Sequence, residues 1–140
     1  MSSTEQTQIN IAELETYFLG LQDRITTAMS ALDGKVFAVD AWEKPEDSKL
    51  RGYGRTCTLD GGNILEKGGV GFSHVRGDQM PPSASHHRPE VAGRSFEAMG
   101  VSLVFHPNNP KVPTTHMNVR CFIAQAVSYT HLTLPTKRIV

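Results

Sequence analysis

Between residues 11 and 32 apolar side chains recur every three or four positions, at Ile11, Leu14, Phe18, Leu21, Ile25, Ala28 and Leu32. That spacing lines one face of a helix and predicts an amphipathic helix over the whole stretch. Asn10 is placed to cap it, Glu13 completes a capping-box pair, and Ile9 with Leu14 offers an apolar staple at the entry. Asp33-Gly34 supplies the stop, because glycine accepts the left-handed backbone that ends helices.

After Gly34 the period falls to two. Residues 36–42 read as a strand, and the charged stretch 43–50, with Pro45, reads as a solvated loop. Residues 55–59 and 64–67 flank Asp60-Gly61-Gly62-Asn63, a hairpin signal. Gly68-Gly69 reads as a tight turn ahead of a strand over 70–75, and the proline- and serine-rich residues 79–87 read as loop. Residues 89–96 stay open between a short helix and an extended lead-in. Residues 99–106 and 115–124 read as strands around a loop over 107–113 that holds three prolines. One long helix followed by many strands with short turns predicts an α+β fold with an antiparallel sheet.

The last residues stand apart. Residues 127–136 read as the translation, in one frame, of a transposon-end adapter used in preparing sequencing libraries. Residues 127–140 are therefore set aside as a non-native tail, although Tyr129, His131 and Thr133 alternate with Thr130, Leu132 and Leu134 as a strand would. The native part is expected to be residues 1–126, one domain stopping in mid-protein, with its sheet incomplete and its edge unpaired.

Composition narrows the function classes. The chain has 140 residues, no net charge and a near-neutral pI, which leaves no reason to expect a nucleic acid partner. Arg51, Arg55, Arg76, Arg88 and Arg94 nevertheless cluster in mid-chain, as a local basic pocket would require. Cys57 and Cys121 show no metal-ligand spacing and read as free thiols of a reducing compartment. The N-terminus lacks the blocks of a signal peptide, and no apolar run approaches the ~20 residues needed to span a bilayer. A soluble, cytoplasmic protein is expected.

Five of the six histidines and four of the eight arginines fall between Gly69 and Ala124. With a period of two, Ser102, Val104 and His106 share one face of a strand, opposite Val101, Leu103 and Phe105. In the return strand His116, Asn118 and Arg120 share a face, opposite Met117, Val119, Cys121 and Ile123. If the two strands pair, Ser102, His106, His116, Asn118 and Arg120 form one polar patch. Arginine holds a carboxylate through a planar fork, and histidine gives or takes a proton near neutral pH. The same alternation also describes an ordinary solvated sheet face, and that reading stays open. His106 and His116 are two possible metal ligands where a catalytic site uses about three.

The run Gly69-Val70-Gly71-Phe72-Ser73-His74-Val75, with Gly77-Asp78-Gln79-Met80-Pro81-Pro82-Ser83-Ala84, resembles the aerobic coproporphyrinogen III oxidase family. So do His87-Arg88-Pro89-Glu90-Val91-Ala92-Gly93-Arg94-Ser95-Phe96 and Gly100-Val101-Ser102-Leu103-Val104. His106-Pro107, Pro113-Thr114-Thr115-His116 and Asn118-Val119-Arg120 complete the match. Two positions depart from the family pattern: Gly71 stands where asparagine is usual, and Cys121 where an aromatic residue is common. The resemblance implies an antiparallel sheet flanked by helices and a homodimer. It implies oxidative decarboxylation of two propionates of coproporphyrinogen III to vinyl groups, giving protoporphyrinogen IX in haem biosynthesis. Molecular oxygen would be the co-substrate, with no organic cofactor and a divalent metal only in some members. By the same resemblance Ser102, Asn118, Val119 and Arg120 are substrate contacts, His116 is the proton donor, and His106 with His116 are the metal ligands. Two other readings remain. A non-catalytic fragment would bind an anionic tetrapyrrole without consuming oxygen, and a histidine-metal hydrolase would lose activity to chelators.

Overall fold

The computed structural model describes residues 9–79, 86 and 94–124, with the backbone of 129–133 and 138–139. A single helix, α1 (Ile11–Asp33), opens the fold as its apolar periodicity predicts. Asn10 caps it, its side-chain oxygen accepting from the Glu13 N–H at 3.2 Å, and Gly34 ends it at φ +86°. The buried stripe drifts from the apolar list along the last two turns. Met29 packs against the core while Leu32 is 62 % exposed, because a 3.6-residue repeat carries the face from Phe18 through Gln22, Ile25 and Met29 to Asp33.

The strands are β1 (Ala38–Glu43), β2 (Leu50–Asp60), β3 (Leu65–Gly77), β4 (Phe96–Pro107), β5 (Thr115–Ala124), β6 (Tyr129–Thr133) and β7 (Arg138–Ile139). They form one antiparallel sheet in the order β1-β2-β3-β4-β5-β6, with β7 also on β5. The hairpin at Asp60-Gly61-Gly62-Asn63 is present, with Gly61 at φ +64°. Gly68-Gly69 is not a turn. Both glycines lie inside one long strand, paired with Leu59 and Thr58 on β2 and with Phe105 and Val104 on β4. Neighbours on both sides hold them extended, which local glycine content cannot reveal.

The α+β class holds, but the expected flanking by helices does not: among the described residues one helix covers one face of the sheet. No other described segment carries apolar residues at helical spacing. The outer edge of β5 is not left unpaired either, since β6 pairs Arg120–Ala124 and β7 pairs Thr115 and His116. The alternation over 129–133 forms a strand. The expected loop over 79–87 and the open reading of 89–96 lie almost wholly outside the described residues.

Between helix and sheet sits the core, built from Phe18, Cys57, Leu59, Val70, Phe72, Met99, Val101, Leu103, Phe105 and Cys121. Two polar residues of α1 are buried with it. Gln22 donates through Nε2 to the carbonyls of Arg55 (2.7 Å) and Val70 (2.8 Å), while its Oε1 accepts from Arg55 Nε at 2.7 Å. Asp33 accepts from the N–H groups of Asn63 (3.0 Å), Ile64 (2.9 Å) and Leu65 (2.8 Å), tying the helix end to the β2–β3 hairpin. Those donors, Leu65 first, hold its carboxyl below the usual range against the opposing effect of burial. Among the described residues no helix is long and apolar enough to cross a membrane.

Candidate functional site

Directly opposed residues on antiparallel strands project to the same side, so the register decides what the face away from α1 displays. On β4 and β5, Ser102 lies opposite Asn118, Val104 opposite His116 and Gly100 opposite Arg120. His106 is the next position along β4 on that side, diagonal to His116. The polar patch expected from alternation is therefore assembled on one face. Ser102, His106, His116 and Arg120 are exposed there, and Asn118 is half-buried.

The alternate positions turn inward. Val101, Leu103, Phe105 and Cys121 are buried against α1, with Met117 and Val119 packed beside them. Val119 thus projects its side chain away from the patch, and only its backbone lies level with it. The split follows from amino-acid type: the branched and aromatic members leave water, and the polar ones keep it.

Next to the patch the sheet is nearly bare. Gly71 lies between Thr56 on β2 and Ser102 on β4, Gly69 between Thr58 and Val104, and Ser73 between Gly54 and Gly100. At the β1 margin the Trp42 indole covers Gly54. Its Nε1 donates to Thr56 Oγ1 at 3.1 Å, and Lys44 Nζ stands 5.7 Å from the ring centre. The sequence carried a signal for this floor in the small residues at alternate positions 69, 71 and 73, which a turn at 68–69 disguises.

The mid-chain arginines do not gather on this face. Arg55 lies on the helix side, bonded to Gln22, to the Leu19 carbonyl at 3.3 Å and to Asp23 at 2.7 Å. Arg51 and Arg76 oppose each other at positions that alternate onto that same side. Arg88 lies outside the described residues, and Arg94 precedes β4. Closeness along the chain says nothing about which face of a sheet a residue occupies.

His74, also on the helix side, belongs to a cluster that sequence reading missed. Its Nε2 is 2.5 Å from Glu97 Oε1 on β4, and its Nδ1 lies 3.7 Å from Glu15 Oε2 on α1. Nδ1 is buried and makes no hydrogen bond among the described residues. The three residues are distant in sequence, and only the β3–β4 pairing and the seat of the helix bring them together. The sheet separates them from the open face, and on the helix side they fasten the N-terminal half of α1.

Among the described residues, two of the expected metal ligands lie near one another without a third. His106 and His116 are diagonal neighbours, His106 Nδ1 lies 3.5 Å from Thr114 Oγ1, and no group of three or more His, Cys, Asp or Glu converges among the described residues. A catalytic site uses about three protein ligands, one more than this pair supplies. The open face can do something narrower: hold an anion at Arg120, orient it with Ser102 and Asn118, and pass a proton through His116.

A family model described as coproporphyrinogen III oxidase matches residues 13–134. That span runs from the first turn of α1 through β6 and takes in both polar strands and the bare floor between them. With most of its length matched, the chain belongs to the coproporphyrinogen III oxidase family, the oxidative decarboxylases of porphyrin biosynthesis.

Proposed function

We propose that the open face binds coproporphyrinogen III and that the parent enzyme carries out its oxygen-dependent oxidative decarboxylation to protoporphyrinogen IX. The observation that carries this reading is the β4–β5 register, which sets Ser102, Asn118, His116 and Arg120 side by side on the face that α1 leaves open. The substrate brings four carboxylates and four pyrrole rings. Arg120 would hold a propionate through its guanidinium fork, with Ser102 and Asn118 fixing the arm by neutral hydrogen bonds. Val119 would contribute backbone groups alone.

Each turn of the reaction breaks the bond between the carboxyl carbon and its neighbour and forms a vinyl double bond. Carbon dioxide leaves with the equivalent of a hydride removed from the arm. Oxygen takes up that pair of electrons and the hydrogen, and one further proton completes hydrogen peroxide. His116, level with the arm that Arg120 holds, is the group proposed to supply that proton. The reaction needs no organic cofactor. The working form is taken to be a cytoplasmic homodimer, and none of the residues that carry the reading lies in 127–140.

The test is oxygen uptake and vinyl product formation with coproporphyrinogen III, for the parent chain and for His116→Ala and Arg120→Ala. Loss of one transition-state proton donor should slow turnover by about 10²–10⁴-fold, while Arg120→Ala should raise KM as well as lower kcat. Near-normal rates in both variants would refute the assignment. Binding without any oxygen uptake would identify the chain as a tetrapyrrole binder instead.

A further inference from the structure

Three polar contacts hold α1 to the sheet, and pH acts on them differently. Gln22 bonds the carbonyls of Arg55 and Val70 and carries no charge. Asp33 accepts from three N–H groups of the hairpin, and those donors keep it ionised at all but low pH. The third contact, at the N-terminal half of the helix, sets Glu15 against His74 and Glu97. Histidine is the side chain that ordinarily changes charge between about pH 5 and 8.

A neutral imidazole has one N–H to offer, and here two carboxylates face it. Glu97 Oε1 lies 2.5 Å from Nε2, so the hydrogen belongs on that nitrogen, because two acceptors do not approach so closely. Nδ1 then turns a bare lone pair toward Glu15 Oε2 at 3.7 Å, buried and without a hydrogen bond among the described residues. A buried acceptor left unsatisfied is costly, and its neighbour is a second acceptor. One proton on Nδ1 removes both faults. It makes the atom a charged donor, and a charge-assisted bond draws Glu15 in to about 2.7–2.9 Å.

Other groups surround the ring. Tyr53 on β2 sets its own ring 5.8 Å away. Arg51 and Arg76, the nearest cations along β2 and β3, are exposed, and Arg55 is committed to Gln22 and Asp23. Water and salt screen the exposed pair, whereas the carboxylates of Glu15 and Glu97 face the imidazole at close range, so they decide the outcome.

We infer that His74 is a pH-sensitive latch for the N-terminal half of α1, closed when the imidazole carries both protons between Glu15 and Glu97 and slack when Nδ1 is bare. A proton held only in the closed form stabilises it at the acid end of the range, and that contribution is lost as the imidazole gives the proton up. Gln22 and Asp33 keep their charge over the same range, so only one end of the helix responds. The device is independent of what the open face binds.

The experiment is a double-mutant cycle on the full 140-residue chain: parent, Glu15→Gln, His74→Gln and the double variant, each melted at pH 6 and at pH 8. The cycle cancels the other five histidines, which all four proteins share. At pH 6 Glu15→Gln should lower the melting temperature by on the order of 3 °C, and should have no such effect once His74 is glutamine. At pH 8 that cost should disappear. An equal cost at both pH values, or one at pH 6 that persists without His74, overturns the latch. Should His74→Gln fail to fold, the cost of Glu15→Gln at pH 6 against pH 8 decides by itself. Amide exchange of Glu15→Gln and the parent at pH 6 then locates the change. Residues 11–18 should exchange faster in the variant while those around Asp33 match, and a uniform change along α1 would overturn the one-ended device.

Discussion

Asp33 shows how much one side chain can organise. Three backbone N–H groups of the β2–β3 hairpin converge on its carboxylate, and the Gly34 cap begins one residue later. Its folded pKa lies below the ordinary 3.8, so its contribution is complete above that value and is lost as pH falls through the folded one. Asp33→Asn should lower the melting temperature at neutral pH and flatten the fall in stability below about pH 4, as thermal melts across pH would show. Gln22 is the neutral counterpart. Gln22→Leu strands Arg55 Nε and two carbonyls, a loss of about 1–3 kcal/mol measurable by urea unfolding. Neither residue was legible in the sequence, because a search for apolar periodicity passes over the polar members of a buried stripe. The two cysteines were legible as free thiols and are buried. Burial pushes both thiols up, so both should react slowly with a thiol reagent at neutral pH until denaturant is added.

At the scale of elements, α1 was readable almost to the residue, since its cap, stripe and stop agree with one another. Asn10→Ala should cost about 1 kcal/mol of stability, read as a shift in the unfolding midpoint. The strands were readable in kind but not in extent. β5 (Thr115–Ala124) coincides with its expected bounds, because a proline-rich loop and a clean alternation define it. β3 was divided in two at Gly68-Gly69, where cross-strand bonds override a local turn signal. The face assignments on β4 and β5 survived intact, because the period of two needs only the strand and not its neighbours.

For the molecule as a whole, the sheet is asymmetric in purpose. One side carries α1, the main core and the Glu15–His74–Glu97 cluster, while the other carries the polar patch, the bare floor at Gly69 and Gly71 and a smaller apolar cluster of Phe96, Ala98 and Ala124. The family could be read from sequence, and its motifs over 69–75, 100–104 and 116–120 lie on β3, β4 and β5. The expected flanking by helices is not borne out, since among the described residues only α1 is helical. The arginine pocket failed for another reason: alternation sent Arg51, Arg55 and Arg76 to the helix side. Phe18→Ala, removing a ring that is 1 % exposed, should cost about 3–5 kcal/mol, as denaturant unfolding would register.

Over 101–106 of β4 and 116–121 of β5 the strands therefore carry two interleaved messages, one written at odd positions and read by the helix, the other at even positions and read by the solvent. Editing a letter of one leaves the other legible. Inserting a single residue after Gly100 would exchange them, sending Val101, Leu103 and Phe105 into water and Ser102 and His106 against α1. Such a chain would differ from the parent by one amino acid and would lose its fold and its chemistry in the same step.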